Sequence, residues 1–163
     1  HAGKSRLVPA TEIENAPRGN TIMARAIKIL LVDDDLDLLE LLKTMLTMDC
    51  ANVITASDYY QAMEQMDTQE RDFDLAIIDW RMPRMHGLDL LEMVKDVRPD
   101  MPVIMMSAYW GEDKREKAEK SGADCILDKP FEYKELYRAI LDLVVSGHVA
   151  ADTNFSGSGV QGN

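Results

Sequence analysis

Cysteine is scarce in this chain: only Cys50 and Cys125 occur, far apart and without C-x-x-C spacing. That excludes a disulfide framework and a thiolate zinc site, and it points to the reduced thiols of a cytoplasmic protein. Long hydrophobic runs are missing as well. Stretches such as Ile29-Leu30-Leu31-Val32 and Leu75-Ala76-Ile77-Ile78 are strand-sized, well short of the ~20 residues needed to cross a bilayer. The N-terminus has no charged-then-apolar signal pattern. Positive charge is in deficit, with 18 Lys and Arg against 29 Asp and Glu, a formal net charge of −11. A surface that acidic repels phosphate backbones and anionic lipid, so neither nucleic acid nor membrane is an expected partner. Part of the acidity is free to serve a divalent cation instead.

Several enzyme signatures are absent too. No Ser-His-Asp order and no Cys-His pairing supports a hydrolase, and His1, His86 and His148 form no metal-ligand spacing. Gly3-Lys4-Ser5 lacks the earlier glycine and the preceding strand of a phosphate-binding loop. Asn154-Phe155-Ser156 fits a glycosylation acceptor, which has no role in a cytoplasmic chain.

What is present is an ordinary globular composition, 46% hydrophobic and 29% charged over 163 residues, enough for one domain with a core. Residues 1–25 are polar with scattered Pro and Gly, and 147–163 are polar and Gly/Ser-rich, so both read as flexible segments flanking a domain at 26–146. Within that domain, short apolar runs alternate with segments of helical period. Strands are expected at 27–32, 52–56, 73–78, 102–106 and 125–127. The first helix, capped by Asp35, turns Leu38, Leu39, Leu41, Leu42, Met45 and Leu46 to one apolar face. Ser57 or Asp58 opens the second, with Ala62, Met63 and Met66 inward. The third carries Leu88, Leu90, Leu91, Met93 and Val94. The fourth, at 112–120, is mostly charged and ends at Ser121-Gly122; the last spans 133–145. Strands alternating with helices in this way specify a layered α/β fold with a parallel sheet. The methionines Met63, Met66, Met93, Met105 and Met106 read as core filling, and Trp80 and Trp110 as packing residues or a border of a site.

In such a sheet, ligands bind at the carboxyl ends of the strands. The polar residues are distributed accordingly: Asp33 and Asp34 end the first strand, Asp79 the third and Ser107 the fourth, and Lys129 follows the fifth. Taken alone, Asp33-Asp34-Asp35 is a turn plus a helix cap, Ser107 a loop hydroxyl and Lys129 a loop cation. Brought to one edge, the carboxylates repel one another unless a cation sits among them. Mg²⁺ suits oxygen ligands and keeps room for waters and a phosphate oxygen. A carboxylate nucleophile, a hard metal ion, a lysine and a hydroxyl are together the parts needed to form an aspartyl phosphate.

Val32-Asp33-Asp34, the run from Asp79-Trp80-Arg81-Met82-Pro83 to Gly87, Ser107-Ala108 and Asp128-Lys129-Pro130-Phe131 resemble, in order and spacing, the receiver domain of bacterial response regulators. The resemblance implies a flavodoxin-like, doubly wound (βα)5 fold, a five-stranded parallel sheet with helices on both faces. It implies Asp79 as phosphoacceptor, with Mg²⁺ held by Asp33, Asp34, Asp79 and the backbone carbonyl of Arg81. Ser107 would bind a phosphoryl oxygen, Lys129 would pair with the phosphate, and the peptide before Pro130 would be cis. The donor would be a sensor histidine kinase or phosphotransfer protein. The output would be an unidentified downstream protein, recognised by the face around the fourth helix, fifth strand and fifth helix, where Tyr133 and Tyr137 lie. The chain itself would be a monomer or a phosphorylation-dependent dimer, a signalling domain rather than a turnover enzyme. With only 147–163 following the domain, it is expected to stand alone or to come from a larger regulator or hybrid kinase.

Two positions depart from the family pattern. Ile126 stands where an aromatic commonly follows the start of the fifth strand, and His86 where Asp often precedes the glycine. Arg81 and Tyr109 occupy positions that tune phosphate lifetime in the family, and a bulky Tyr109 shielding the acyl phosphate predicts slow self-dephosphorylation. The competing readings are a Mg²⁺-dependent phosphatase or phosphotransferase acting through an aspartyl phosphate, and a structural interaction domain that is never phosphorylated. The first strand ends in adjacent aspartates rather than D-x-D, and no segment is long enough for a cap, which weighs against the first. The complete acidic, hydroxyl and lysine set weighs against the second.

Overall fold

In a computed structural model, residues 26–49, 51–68 and 72–152 are described. Strands and helices alternate along them: β1 (Ile27–Val32), α1 (Leu36–Met48), β2 (Ala51–Ala56), α2 (Tyr59–Asp67), β3 (Leu75–Asp79), α3 (Gly87–Val97), β4 (Val103–Ser107), α4 (Glu112–Lys120), β5 (Cys125–Asp128) and α5 (Tyr133–Asp152). All strand pairs are parallel, in the order β2-β1-β3-β4-β5. The chain reverses its direction of travel across the sheet at β1. Right-handed crossovers therefore put helices on both faces and open a crevice at the carboxyl ends of β1 and β3.

The two faces bury separate clusters. Ile29, Leu31, Leu75, Ile77, Ile104 and Met106 pack with Leu39, Leu42 and Leu46 of α1 and Leu136, Ile140 and Val144 of α5. The alternate strand residues Leu30, Val32, Ala76, Ile78, Val103 and Met105 pack with Ala62 of α2, Leu90, Leu91 and Val94 of α3, and Ala118 of α4. A strand covered on both faces has no solvated side, which is why β1 and β3 are apolar runs rather than alternating ones. Full burial of each Leu or Ile contributes about 1.5–3 kcal/mol.

Local chemistry sets the element ends. The Asp35 carboxylate accepts from the backbone N–H groups of Asp37 and Leu38 and caps α1. Of the two residues expected to open α2, Asp58 is the cap, accepting from the Gln61 N–H at 2.8 Å. At the end of α4, Gly122 takes φ +97, and the N–H groups of Gly122 and Ala123 bond back to the Glu119 and Ala118 carbonyls. This terminus is open to glycine because a Cβ is disfavoured at that φ.

The structure departs from the sequence expectations in several places. Leu41 is 56% exposed, because α1 buries only the narrower stripe of Leu39, Leu42 and Leu46. β3 begins at Leu75 rather than residue 73: Asp74 spends its carboxylate on the Lys28 N–H at 2.8 Å, and Phe73 is buried outside the strand. β4 runs from Val103 to Ser107 and β5 reaches Asp128, so Ser107 and Asp128 are themselves strand residues. α5 continues to Asp152, beyond the end at 145 and across the expected boundary at 146. The expected flexible segment 1–25, the rest of the C-terminal segment from 153, and Cys50 lie outside the described residues. Among the described residues, no helix is long and apolar enough to cross a membrane.

Candidate functional site

Strand ends bring the polar residues together. β1 and β3 are adjacent, with Val32 opposite Ile78, so Asp33 and Asp79 leave the sheet side by side. Asp33 and Asp79 are buried, at 1% and 5% exposure, and Asp34 is exposed. One carboxylate oxygen from each of Asp33, Asp34 and Asp79 lies within 4.8 Å of the others. Lys129 reaches in from the loop after β5, its Nζ 2.5 Å from Asp33 Oδ2 and 2.7 Å from Asp79 Oδ1. The peptide between Lys129 and Pro130 is cis.

The remaining oxygens are oriented by backbone. Asp35 N donates to Asp33 Oδ1 at 2.9 Å, and Arg81 N donates to Asp79 Oδ2 at 2.9 Å. Each buried carboxylate is thus held by one ammonium and one amide, which fixes its rotamer. Asp33-Asp34-Asp35 is therefore both a cap and a site: Asp35 caps α1, while Asp33 and Asp34 face the cluster.

Burial pushes the Asp79 carboxyl above its ordinary value, the Asp33 charge adds to the rise, and the Lys129 hydrogen bond and charge oppose it. Burial by itself pulls the Lys129 ammonium down, but its hydrogen bonds to Asp33 and Asp79 and their charges outweigh burial, and the net direction is up. Three carboxylates against one ammonium leave excess negative charge in a partly buried pocket. Such a donor set, all hard oxygen with one exposed member leaving room for water, fits a divalent cation of the Mg²⁺ type.

Ser107 ends β4, and its carbonyl accepts from Lys129 N at 2.8 Å. Its hydroxyl is engaged with the Tyr109 backbone, donating to the carbonyl at 3.1 Å and accepting from the N–H at 3.2 Å. Tyr109 is 68% exposed, and Lys114 Nζ sits 5.3 Å from its ring centroid. Trp80 and Trp110 pack on each other, with ring centroids 5.1 Å apart. The His86 N–H donates to Asp89 Oδ2 at 2.9 Å, so His86 serves the start of α3.

Sequence reasoning placed Gly87 at the end of the motif that begins at Asp79 but gave it no role. A Cβ there would meet the Asp79 carbonyl oxygen at 2.0 Å, while the Gly87 N–H donates to the Trp80 carbonyl at 2.9 Å. The start of α3 lies directly against the backbone of the phosphoacceptor candidate, and only glycine fits. Its position one loop after Asp79 was the available signal. The close approach belongs to the folded backbone.

Known proteins share this fold. Residues 29–141 match the response regulator receiver domain family. The transcriptional regulatory protein CpxR of Escherichia coli (strain K12) is 40% identical over 121 residues, covering 74% of this chain and 50% of that protein. The chain thus spans about half the length of the curated relatives it matches. A response regulator receiver domain protein (CheY-like) from Methanospirillum hungatei JF-1 superimposes with a TM-score of 0.73 at 27% identity, covering 77% of this chain and 98% of that one. A receiver domain protein from Clostridium thermocellum gives 0.72 at 30% identity, covering 76% and 98%. The family match spans residues 29–141, well over half of the chain, so the chain belongs to the response regulator receiver domains and is the receiver of a two-component regulator.

Proposed function

We propose that this receiver accepts a phosphoryl group on Asp79 from a histidine kinase or phosphotransfer protein, in a Mg²⁺-dependent reaction, and thereby switches a partner-binding face. The observation that carries the reading is the buried Asp79 carboxylate, pinned by Lys129 beside Asp33 and Asp34 at the sheet's carboxyl edge. Asp79 Oδ attacks phosphorus as the P–N bond of the donor's phosphohistidine breaks. The leaving imidazole nitrogen keeps that electron pair and takes a proton from solvent. Lys129 supports the ionised carboxylate beforehand and pairs with the incoming phosphoryl oxygens, while the Arg81 N–H fixes the other Asp79 oxygen. Asp33, Asp34, Asp79 and the Arg81 carbonyl are the proposed holders of Mg²⁺, which supplies positive charge against the phosphoryl oxygens. Ser107 is the proposed hydroxyl donor to one of them.

The domain proper is proposed as 26–146, with α5 carrying on beyond it to Asp152, acting in the cytoplasm as a switch without turnover of small substrates. The net charge of −11 supports output through a protein partner rather than direct contact with nucleic acid. Intact-protein mass after incubation with acetyl phosphate, with and without Mg²⁺, tests the assignment. A Mg²⁺-dependent gain of one phosphoryl group, lost in Asp79→Asn, is expected. No gain in a demonstrably folded protein would leave a receiver-like interaction module.

A further inference from the structure

Ser107 has one hydroxyl proton, and in this structure it is committed to the Tyr109 carbonyl, with the Tyr109 N–H donated back to the same oxygen. For that proton to be donated to a phosphoryl group on Asp79, the bond to the Tyr109 carbonyl, in the loop joining β4 to α4, must open. The next residue in the loop is Trp110, and it is tied on three sides. Its ring packs on Trp80, the residue after Asp79, at 5.1 Å between centroids and 59° between planes. Its Nε1 donates to the Leu127 carbonyl of β5 at 3.1 Å. The Arg115 guanidinium of α4 lies 5.8 Å from its centroid while holding both oxygens of Asp128, at 3.1 and 3.2 Å. Ile126, lacking both an aromatic ring and a polar atom on its side chain, packs, like Trp110, against the same core cluster.

We infer that Trp110 is a positioning residue for phosphoryl acceptance: it latches the loop in the arrangement that turns the Ser107 hydroxyl toward Tyr109, and its release accompanies phosphorylation. The inference rests on Asp79 being the phosphoacceptor. The latch joins the loop after β3, β5 and α4 through one side chain. Its release also strips Arg115 of the ring it covers and alters the α4–β5 surface around Asp128. The signal thus passes through the loop after β4 rather than through the side chain at position 126. Because the latch keeps the Ser107 hydroxyl on Tyr109, its contacts oppose the switch, and weakening them shifts the population toward the phosphorylated arrangement.

The chain has only two tryptophans, so Trp80→Phe leaves Trp110 as the sole indole. Its emission and iodide quenching are recorded as acetyl phosphate and Mg²⁺ bring the protein to full occupancy, with occupancy read by intact mass. A red shift and increased quenching that track occupancy are expected. In parallel, Trp110→Phe in the otherwise native chain keeps a ring but loses the Nε1 bond to Leu127. It should take up phosphoryl about fivefold faster, the factor carried by one ordinary net hydrogen bond. A residue that merely packs would lower stability without accelerating uptake. Unchanged Trp110 emission at full occupancy, or a Trp110→Phe rate at or below that of the parent, overturns the latch while leaving the phosphoacceptor assignment standing. No mass gain in the parent protein overturns that assignment, and the latch falls with it.

Discussion

Two lysine–aspartate clusters sit at opposite ends of the sheet, and they are built for different ends. At the amino edge, Lys95 of α3 bonds Asp124 at 2.8 Å and the Met101 carbonyl at 2.9 Å. The same Asp124 oxygen accepts from the Val103 N–H at 2.8 Å. Charge there is balanced one to one, and backbone groups complete both partners. At the carboxyl edge, Lys129 faces Asp33 and Asp79 together, with Asp34 alongside. Negative charge is in excess, two of the carboxylates are nearly dry, and the Asp79 carboxyl is pushed upward by burial. A balanced pair ties strands to a helix. An unbalanced one remains short of positive charge, which a bound divalent cation would relieve.

The comparison can be broken most severely at the carboxyl edge through its backbone. Gly87→Ala forces a methyl against the Asp79 carbonyl, 2.0 Å from where it would sit. It should destabilise the fold by about 3 kcal/mol in urea denaturation. Lys129→Met comes next: removing the charge proposed to pair with the phosphoryl oxygens should slow phosphorylation by acetyl phosphate by about 10²-fold. Lys95→Met, the matching change at the other end, should leave that rate within about twofold and instead lower stability by about 1–2 kcal/mol. A large rate effect from Lys95→Met would mean that the two clusters are not functionally distinct.

The smallest effect has the opposite sign. In chelator, Asp79→Asn should stabilise the fold by about 1 kcal/mol at neutral pH, because it removes a buried charge that repels Asp33. The folded Asp79 carboxyl titrates above its ordinary value of 3.8. The native side chain therefore regains stability as pH falls through its folded-state value, and that stability is lost again as pH rises through it. The advantage of Asn should accordingly be greatest at neutral pH and shrink as pH falls toward 3.8. Thermal denaturation of the two proteins across this range checks it; an Asn advantage that grows on acidification would show that Lys129 overcompensates the burial of Asp79.

Much of the fold was legible in advance because its rules are local or periodic. The apolar run ending in Asp33 could only be a strand covered on both faces, and Asp35 is a cap by its chemistry. Ser121-Gly122 ended α4 where expected, and the Asp-Asp, Asp, Ser and Lys signals all fell at strand ends. Leu41 was misassigned because an apolar helical period does not say how wide a stripe the sheet will cover. The end of α5 was misplaced because the apolar period fades before the backbone hydrogen bonding stops.

The sequence by itself determined which residues meet at the carboxyl edge, since alternation of strand and helix with right-handed crossovers leaves those side chains nowhere else to go. Tertiary structure decided how they are used. Only folding set Lys129 between Asp33 and Asp79, laid the start of α3 against the Asp79 carbonyl, and turned the Ser107 hydroxyl to Tyr109 beside the Trp80–Trp110 pair. Distances of this kind depend on the packing of elements remote in sequence, and no local propensity encodes them.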